Sequence, residues 1–238
     1  MKLKKVIRLF EDGNVCVCGM RGRGKDLLMS NVAVRRKLPY VANVDYGGEC
    51  YPFEYSKLAC GGNTYKEFIS GEVKQYKFPY PDKTDIYLSD AGIYFPSQFC
   101  NELNRDYRHM AVFQAISRHV GLSNFHFNAQ NLNRVWDKIR EQSDMYILCR
   151  NCVYIPKVDI VIQRITIYDK YQSALDRQKP LRLPMPLFAN KEMRLQRKIQ
   201  LAQFEATHGC IETRWLLYRN KSTYDTRRFK AMLEGGIS

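Results

Sequence analysis

Two rhythms of apolar residues alternate along the first two thirds of the chain. Asn14-Val15-Cys16-Val17-Cys18 is a short β-prone burst ending at Gly19, and after a glycine-rich turn the stretch Asp26 to Arg36 has helical spacing, which predicts strand, loop, helix. Pro39 closes that helix. Tyr40 to Tyr46 reads as a second strand, Gly47 to Asn63 as a loop, and Asp85-Ile86-Tyr87-Leu88 as a third strand behind turn signals at Pro79, Pro81 and Asp82. Between Phe99 and Val120, Leu103, Tyr107, Met110, Phe113 and Ile116 recur at helical spacing among Arg105, Arg108 and Arg118, predicting a helix with a basic face. Asn124 to Gln130 alternates like a strand, Val135 to Gln142 reads as a short helix, Met145 to Asn151 as a strand, and Val158 to Tyr168 as a final strand or hairpin arm. Strands alternating with helices predict an α/β fold with a mostly parallel sheet flanked by helices.

Past Tyr171 the rhythm changes. Lys179 to Pro186 is a proline-punctuated linker, Lys191 to Ala206 is a basic helix candidate, and Arg194, Arg197, Lys198, Arg214, Arg219, Lys221, Arg227, Arg228 and Lys230 fill the tail. We therefore divide the chain into residues 1–175, the main domain, and 176–238, a linker with a basic C-terminal appendage that either tracks a phosphate backbone or anionic surface or is simply a solvated helical face. At 238 residues and 45% hydrophobic content there is material for one sizeable core, which excludes a disordered chain. No window of about 18 apolar residues is present, and the Met1-Lys2-Leu3-Lys4-Lys5 start lacks an apolar signal region, so neither secretion nor membrane spanning is expected. The net charge of +14 favours polyanionic partners. Eight cysteines then read as reduced thiols at apolar positions; the Cys149/Cys152 pair lacks a second pair at zinc spacing.

Gly19-Met20-Arg21-Gly22-Arg23-Gly24-Lys25 matches G-x-x-x-x-G-K between a predicted strand and a predicted helix, the context a phosphate-binding loop requires. Glycines let the backbone wrap a phosphate with its N–H groups inward, the helix N-terminus adds positive potential, and Lys25 reaches the terminal phosphates. Positions Gly19 to Leu27 are the candidate nucleotide contacts. Where Ser or Thr usually offers a hydroxyl to magnesium, the chain has Asp26, whose carboxylate either weakens nucleotide binding or takes the metal itself. The third strand ends in Leu88-Ser89-Asp90, where a metal-supporting Asp followed by a catalytic Glu is usual. Hydroxyl and carboxylate are thus exchanged between the two motifs, and Asp26, Ser89 and Asp90 are the candidate magnesium residues, with Asp90 polarising the attacking water.

Together with Tyr40-Val41-Ala42-Asn43-Val44, Leu88 to Pro96, Arg118-His119-Val120-Gly121 and Ala129-Gln130-Asn131-Leu132-Asn133-Arg134, these motifs make residues 15–168 resemble the Zot-like (zonular occludens toxin) ATPases of filamentous phages, related to the FtsK/HerA motors within the RecA/ASCE-like P-loop NTPases. The resemblance implies ATP and Mg2+ as cofactors, Gln130 as sensor of the γ-phosphate, and a homo-oligomeric ring acting on DNA, single strands favoured, with other virion proteins as partners. It makes Arg118 and Arg108 candidates for an arginine finger reaching a neighbouring subunit, against simple solvation. With no apolar span after the ATPase region, the expected setting is the host cytoplasm, with at most peripheral contact with an anionic membrane. Two other classes stay open: a non-catalytic nucleotide-binding scaffold, which the Asp26 and Ser89 departures favour, and a small-molecule kinase. Arg134 and Arg140 either line a DNA channel or pair with Glu141 and Asp144; His109, His119, His126 and His208 form no metal motif; Tyr80, Tyr87, Tyr94 and Tyr107 either stack bases or fill the core.

Overall fold

A computed structural model of the chain describes residues 3–54, 57–58, 77–97, 122–169, 174, 190–207 and 210–224. The elements relevant here are helix α1 (Leu3–Asp12), β1 (Val15–Cys18), α2 (Lys25–Arg36), β2 (Tyr40–Ala42), β3 (Cys50–Pro52), β4 (Thr84–Leu88), α3 (Ala91–Tyr94), β5 (Leu122–Ala129), α4 (Asp137–Arg140), β6 (Met145–Ile155), β7 (Ile160–Tyr168), α5 (Lys191–Thr207) and β8 (Cys210–Arg219). All eight strands join one sheet in the order β3-β2-β4-β5-β1-β6-β7-β8. The ladders from β3 across to β6 are parallel, and β7 and β8 add an antiparallel flank. The expected mostly parallel α/β sheet is present.

β1 is buried on both faces, as a central parallel strand must be, because helices cover both sides of such a sheet. Cys16 and Cys18 face one layer with Ile86, Leu88, Phe125, Phe127 and Ile139. Val15 and Val17 face the other, where α1 contributes Leu3, Val6 and Phe10 and α2 contributes Leu28, Met29 and Val32. Each such side chain stabilises the fold by roughly 1.5–3 kcal/mol relative to exposure. The thiols of Cys16 and Cys18 are free, and burial pushes that of Cys18 up to about 12 against the nearby charges of Arg150 and Lys25, so these cysteines act as small apolar residues.

Several local expectations change. β2 stops at Ala42, because Asn43 turns out of the sheet to bond the main chain of Ser89, and the short edge strand β3 ends in Pro52, where no ladder N–H is needed. The helix expected from Val135 shortens to α4, since Val135 is extended and bridges Pro96. β6 continues through a register shift between Cys149 and Asn151 to Ile155 and forms a long hairpin with β7. Besides β3 and the short α3, two larger elements absent from the sequence reading appear: α1, whose Leu3, Val6 and Phe10 recur every third or fourth residue, and β8, which pairs along β7. The helix predicted between Phe99 and Val120, including Arg108 and Arg118, lies outside the described residues.

Candidate functional site

β1 runs fully buried to Cys18 and delivers the chain into a loop that only glycine can build at two points. A Cβ on Gly19 would stand 2.6 Å from the Cys149 carbonyl oxygen, and one on Gly24, at φ 75°, would stand 2.5 Å from Cys152 Sγ. Gly24 is the residue preceding α2, and Leu28 N–H donates to its carbonyl at 2.9 Å, so helix and loop share one backbone joint. Gln163 of β7 holds that joint from below: its Nε2 donates to the carbonyls of Arg23 and Gly24, both at 3.0 Å, while Tyr218 Oη of β8 donates to its Oε1 at 3.0 Å. Arg23 Nη1 reaches Asn151 Oδ1 at 2.9 Å. The antiparallel flank thus braces the loop's shape. Lys25 is 4% exposed, and its Nζ donates to Met20 O at 3.5 Å, which keeps the ammonium over the loop.

Asp26, in the first turn of α2, meets the end of β4. Ser89 Oγ donates to Asp26 Oδ1 at 2.9 Å, and Asn128 Nδ2 donates to the same oxygen at 2.7 Å. Ser89 spends its one hydrogen there, so Tyr46 Oη, 2.7 Å away, is the donor in their contact. The result is a chain of hydroxyls, Tyr46 to Ser89 to Asp26, that fixes which lone pairs remain. Asn43 clamps Ser89 through both main-chain groups, donating to its carbonyl at 2.9 Å and accepting from its N–H at 2.8 Å. Asp90 follows in the left-handed region at φ 51°, a conformation that Asp tolerates better than most residues. Its N–H donates to Asn128 Oδ1 at 2.9 Å, and its carboxyl accepts a hydrogen bond from the Gln130 side chain. Burial, then the charge of Asp26, raises the Asp90 carboxyl above the usual carboxylate value, with Lys25 and Gln130 opposing.

The geometry therefore brings Lys25, Asp26, Ser89, Asp90 and Gln130 to one end of the sheet, beside the glycine loop. Arg118 lies outside the described residues, as do Tyr107, His109, His119 and His208. Arg140 Nη1 donates to the carbonyls of Leu132 and Val135 and ties down the chain before α4. His126 is fully buried, and Tyr80 and Tyr87 are core residues. Among the described residues no group of three or more His, Cys, Asp or Glu side chains is placed to hold a metal ion. A magnesium ion suits a different set. Two carboxylates and a hydroxyl are hard oxygen donors, and the remaining positions would go to phosphate oxygens and water, the usual arrangement for this ion. The sequence did not single out Asn128, Tyr46 or Asn43 for the site; the available signal was the polar row Asn124, His126, Asn128 on one face of β5, all three buried.

No protein-family model matches the chain, and no curated protein sequence matches it. Among solved structures it is similar to the N-terminal domain of zonular occludens toxin from Neisseria meningitidis, with TM-score 0.45 and 11% identity over 92% of this chain and 97% of that one. It is also similar to the genome packaging NTPase B204 of Sulfolobus turreted icosahedral virus 2, bound to ATP-γS, with TM-score 0.39 and 16% identity over 67% of this chain and 93% of that one. A third similarity is to the cytoplasmic domain of the type VII secretion ATPase EccC of Thermomonospora curvata, with TM-score 0.39 and 12% identity over 67% of this chain and 22% of that one.

Proposed function

We propose that this chain is a magnesium-dependent ATPase that acts on DNA during virion assembly. The observation that carries the catalytic part is the 2.9 Å bond from Ser89 Oγ to Asp26 Oδ1. A hydroxyl and a carboxylate still meet between phosphate loop and acidic strand, with the two partners exchanged. Asp26, Ser89 and Asp90 would hold the ion, which when bound would draw charge from the β- and γ-phosphate oxygens. The loop amides and Lys25 hold the triphosphate, and Asp90, oriented by Gln130 and by Asn128 through its N–H, accepts a proton from the attacking water. Assembly and DNA come from the motif resemblance and from the net charge of +14, which suits a polyphosphate partner. Ring formation, the trans role of Arg118, the host cytoplasm as setting and any contact with anionic lipid belong to the same reading.

The test is magnesium-dependent phosphate release with and without single-stranded DNA, beside Lys25→Ala. DNA-stimulated turnover that disappears in the variant supports the ATPase. One observation favours a second reading, a nucleotide-binding scaffold: the charge of Asp26 helps to raise the Asp90 carboxyl, and a triphosphate adds more negative charge. ATP binding with no Lys25-dependent turnover would select it. If Arg118 acts in trans, mixing Lys25→Ala with Arg118→Ala protein recovers activity that neither has alone.

A further inference from the structure

A cavity of about 740 Å³ adjoins the glycine loop. Gly22, Gly24, Lys25 and Asp26 form its near side, and that volume falls within the roughly 300–1,000 Å³ typical of small-molecule sites. The far wall comes from two places distant in sequence: Tyr154 and Pro156 from the end of the β6–β7 hairpin, and Asn220 and Tyr224 from the chain leaving β8. That departing chain is strapped down. Asn31 Nδ2 donates to Asn220 Oδ1 at 2.7 Å, Ser30 Oγ reaches Ser222 Oγ at 3.0 Å, and Thr223 N–H donates to Tyr46 O at 3.1 Å. The basic tail therefore contributes directly to the cavity.

Both tyrosine rings are held in place. Tyr154 Oη donates to Asp159 Oδ1 at 2.7 Å, and Tyr224 packs edge-on against Tyr46 with ring centroids 5.9 Å apart. Pro156 adds a third flat apolar surface in a short, rigid turn. Asn220, the one amide on this wall among the described residues, is already spent: its Oδ1 accepts from Asn31 Nδ2, Ser222 N–H and Ser222 Oγ, and its Nδ2 donates to Ser222 O and to Tyr154. The wall offers mainly the two aromatic rings and the proline; besides the tyrosine hydroxyls, of which Tyr154 Oη is committed to Asp159, the weak thiol donor of Cys152 is its other polar side-chain group among the described residues. A ligand whose phosphates occupy the loop has the adjoining cavity beside it for its remaining part, where aromatic and proline surfaces outnumber side-chain donors and acceptors among the described residues.

Resting on the phosphate-loop reading above, we infer that Tyr154, Pro156 and Tyr224 form a base-stacking subsite for the nucleobase of a purine nucleoside triphosphate, and that the site discriminates little between adenine and guanine. Stacking uses the π face every base has, whereas selectivity needs donors and acceptors aimed at the base edge.

The test compares three probes in magnesium buffer by calorimetry: ATP, GTP and inorganic tripolyphosphate, against wild type, Tyr154→Ala/Tyr224→Ala, Tyr154→Phe and Lys25→Ala. ATP and GTP should bind wild type within about fivefold of each other. The double variant should lose roughly tenfold or more in affinity for both nucleotides while holding tripolyphosphate within about twofold, which also shows that it is folded. Tyr154→Phe should retain nucleotide affinity, and Lys25→Ala should lose all three probes. Unchanged nucleotide affinity in the double variant, equal loss of tripolyphosphate, or a strong preference for one purine overturns the stacking subsite while leaving the phosphate loop standing. Failure of wild type to bind any of the three sinks the phosphate-loop reading and the subsite with it.

Discussion

α2 runs alongside β4 and touches it chemically at both ends, with opposite results. At its last turn, Arg36 Nε lies 2.7 Å from the carboxylate of Asp85, which is 1% exposed and also accepts from Tyr87 Oη at 3.2 Å. At its first turn, the carboxylate of Asp26 meets Ser89 and Asn128, both neutral donors. Each arrangement suits the helix, which favours acids at its N-terminus and bases at its C-terminus. The difference lies in what neutralises the charge. Asp85 has a resident counterion, although burial outweighs it and pushes the carboxyl up to about 6. Asp26 has hydrogen bonds on one oxygen and a neighbouring Asp90, an excess of negative charge that a cation would relieve. A closed acid pair marks structure, and an open acid pair beside a glycine loop marks a site.

The largest expected effect breaks the closed end. Arg36→Met leaves Asp85 buried without its counterion and should cost about 3–5 kcal/mol in urea denaturation. Asp26→Asn, the comparable neutralisation at the open end, should cost about 1 kcal/mol or less while abolishing magnesium-dependent turnover. If Asp26→Asn unfolds the protein as readily as Arg36→Met, the contrast between the two ends is wrong.

The open end was largely legible in the sequence because its parts are local: the glycine spacing, the burst before it, and the Asp26 and Ser89 departures sit inside short motifs. What finishes it was not. Tyr46, Asn43 and Asn128 act through side-chain hydrogen bonds at separations of 38 to 102 residues, which leave no periodicity. The alternation of Asn124, His126 and Asn128 resembles a solvent-facing strand, yet all three are buried: Asn124 donates to Phe10 O, His126 accepts from Val15 N–H and Asn128 serves Asp26. In β8, Arg214 and Arg219 mask an alternation in which Leu216 and Tyr218 point inward, and so the strand reads as part of a basic tail.

A second effect sharpens the open end. Asp26→Ser/Ser89→Asp restores the ordinary order of hydroxyl and carboxylate, so the double variant should hydrolyse ATP better than either single variant, with a coupling of about 1–3 kcal/mol in the double-mutant cycle. Additive losses would mean that the 2.9 Å contact is structural only.

A third acts beside the closed end. His126 lies between the rings of Phe10 and Tyr87, its Nδ1 accepting from Val15 N–H, and burial followed by the charge of Arg36 lowers its pKa well below 6.5. The unfolded chain therefore takes up this proton first, so the stabilisation is complete above 6.5 and is lost as the pH falls below it. Asp85 works in the opposite direction between about 6 and 3.8, where the folded chain binds the proton first and gains stability on acidification. His126→Gln keeps an acceptor for Val15 N–H without the titration. Relative to wild type it should gain roughly 1–2 kcal/mol in stability on moving from pH 7 to pH 5. Parallel pH profiles for the two proteins would show that His126 does not titrate as its burial demands.

The smallest effect separates two glycines of the open end that share φ 75°. A side chain on Gly22 meets nothing within 4 Å, so Gly22→Ala should cost only the left-handed backbone term, about 1–2 kcal/mol, and Gly22→Asn less, since Asn adopts that region more readily. Gly24→Ala adds a clash with Cys152 Sγ to the same backbone term, pushing on the joint that Gln163 holds. Thermal melts should therefore rank Gly22→Asn, Gly22→Ala and Gly24→Ala in order of increasing loss, and nucleotide affinity should follow that order if the loop's shape is what binds phosphate. Equal melting temperatures for Gly22→Ala and Gly24→Ala would mean that β6 yields to the loop, and the support from the antiparallel flank would then be looser than its hydrogen bonds imply.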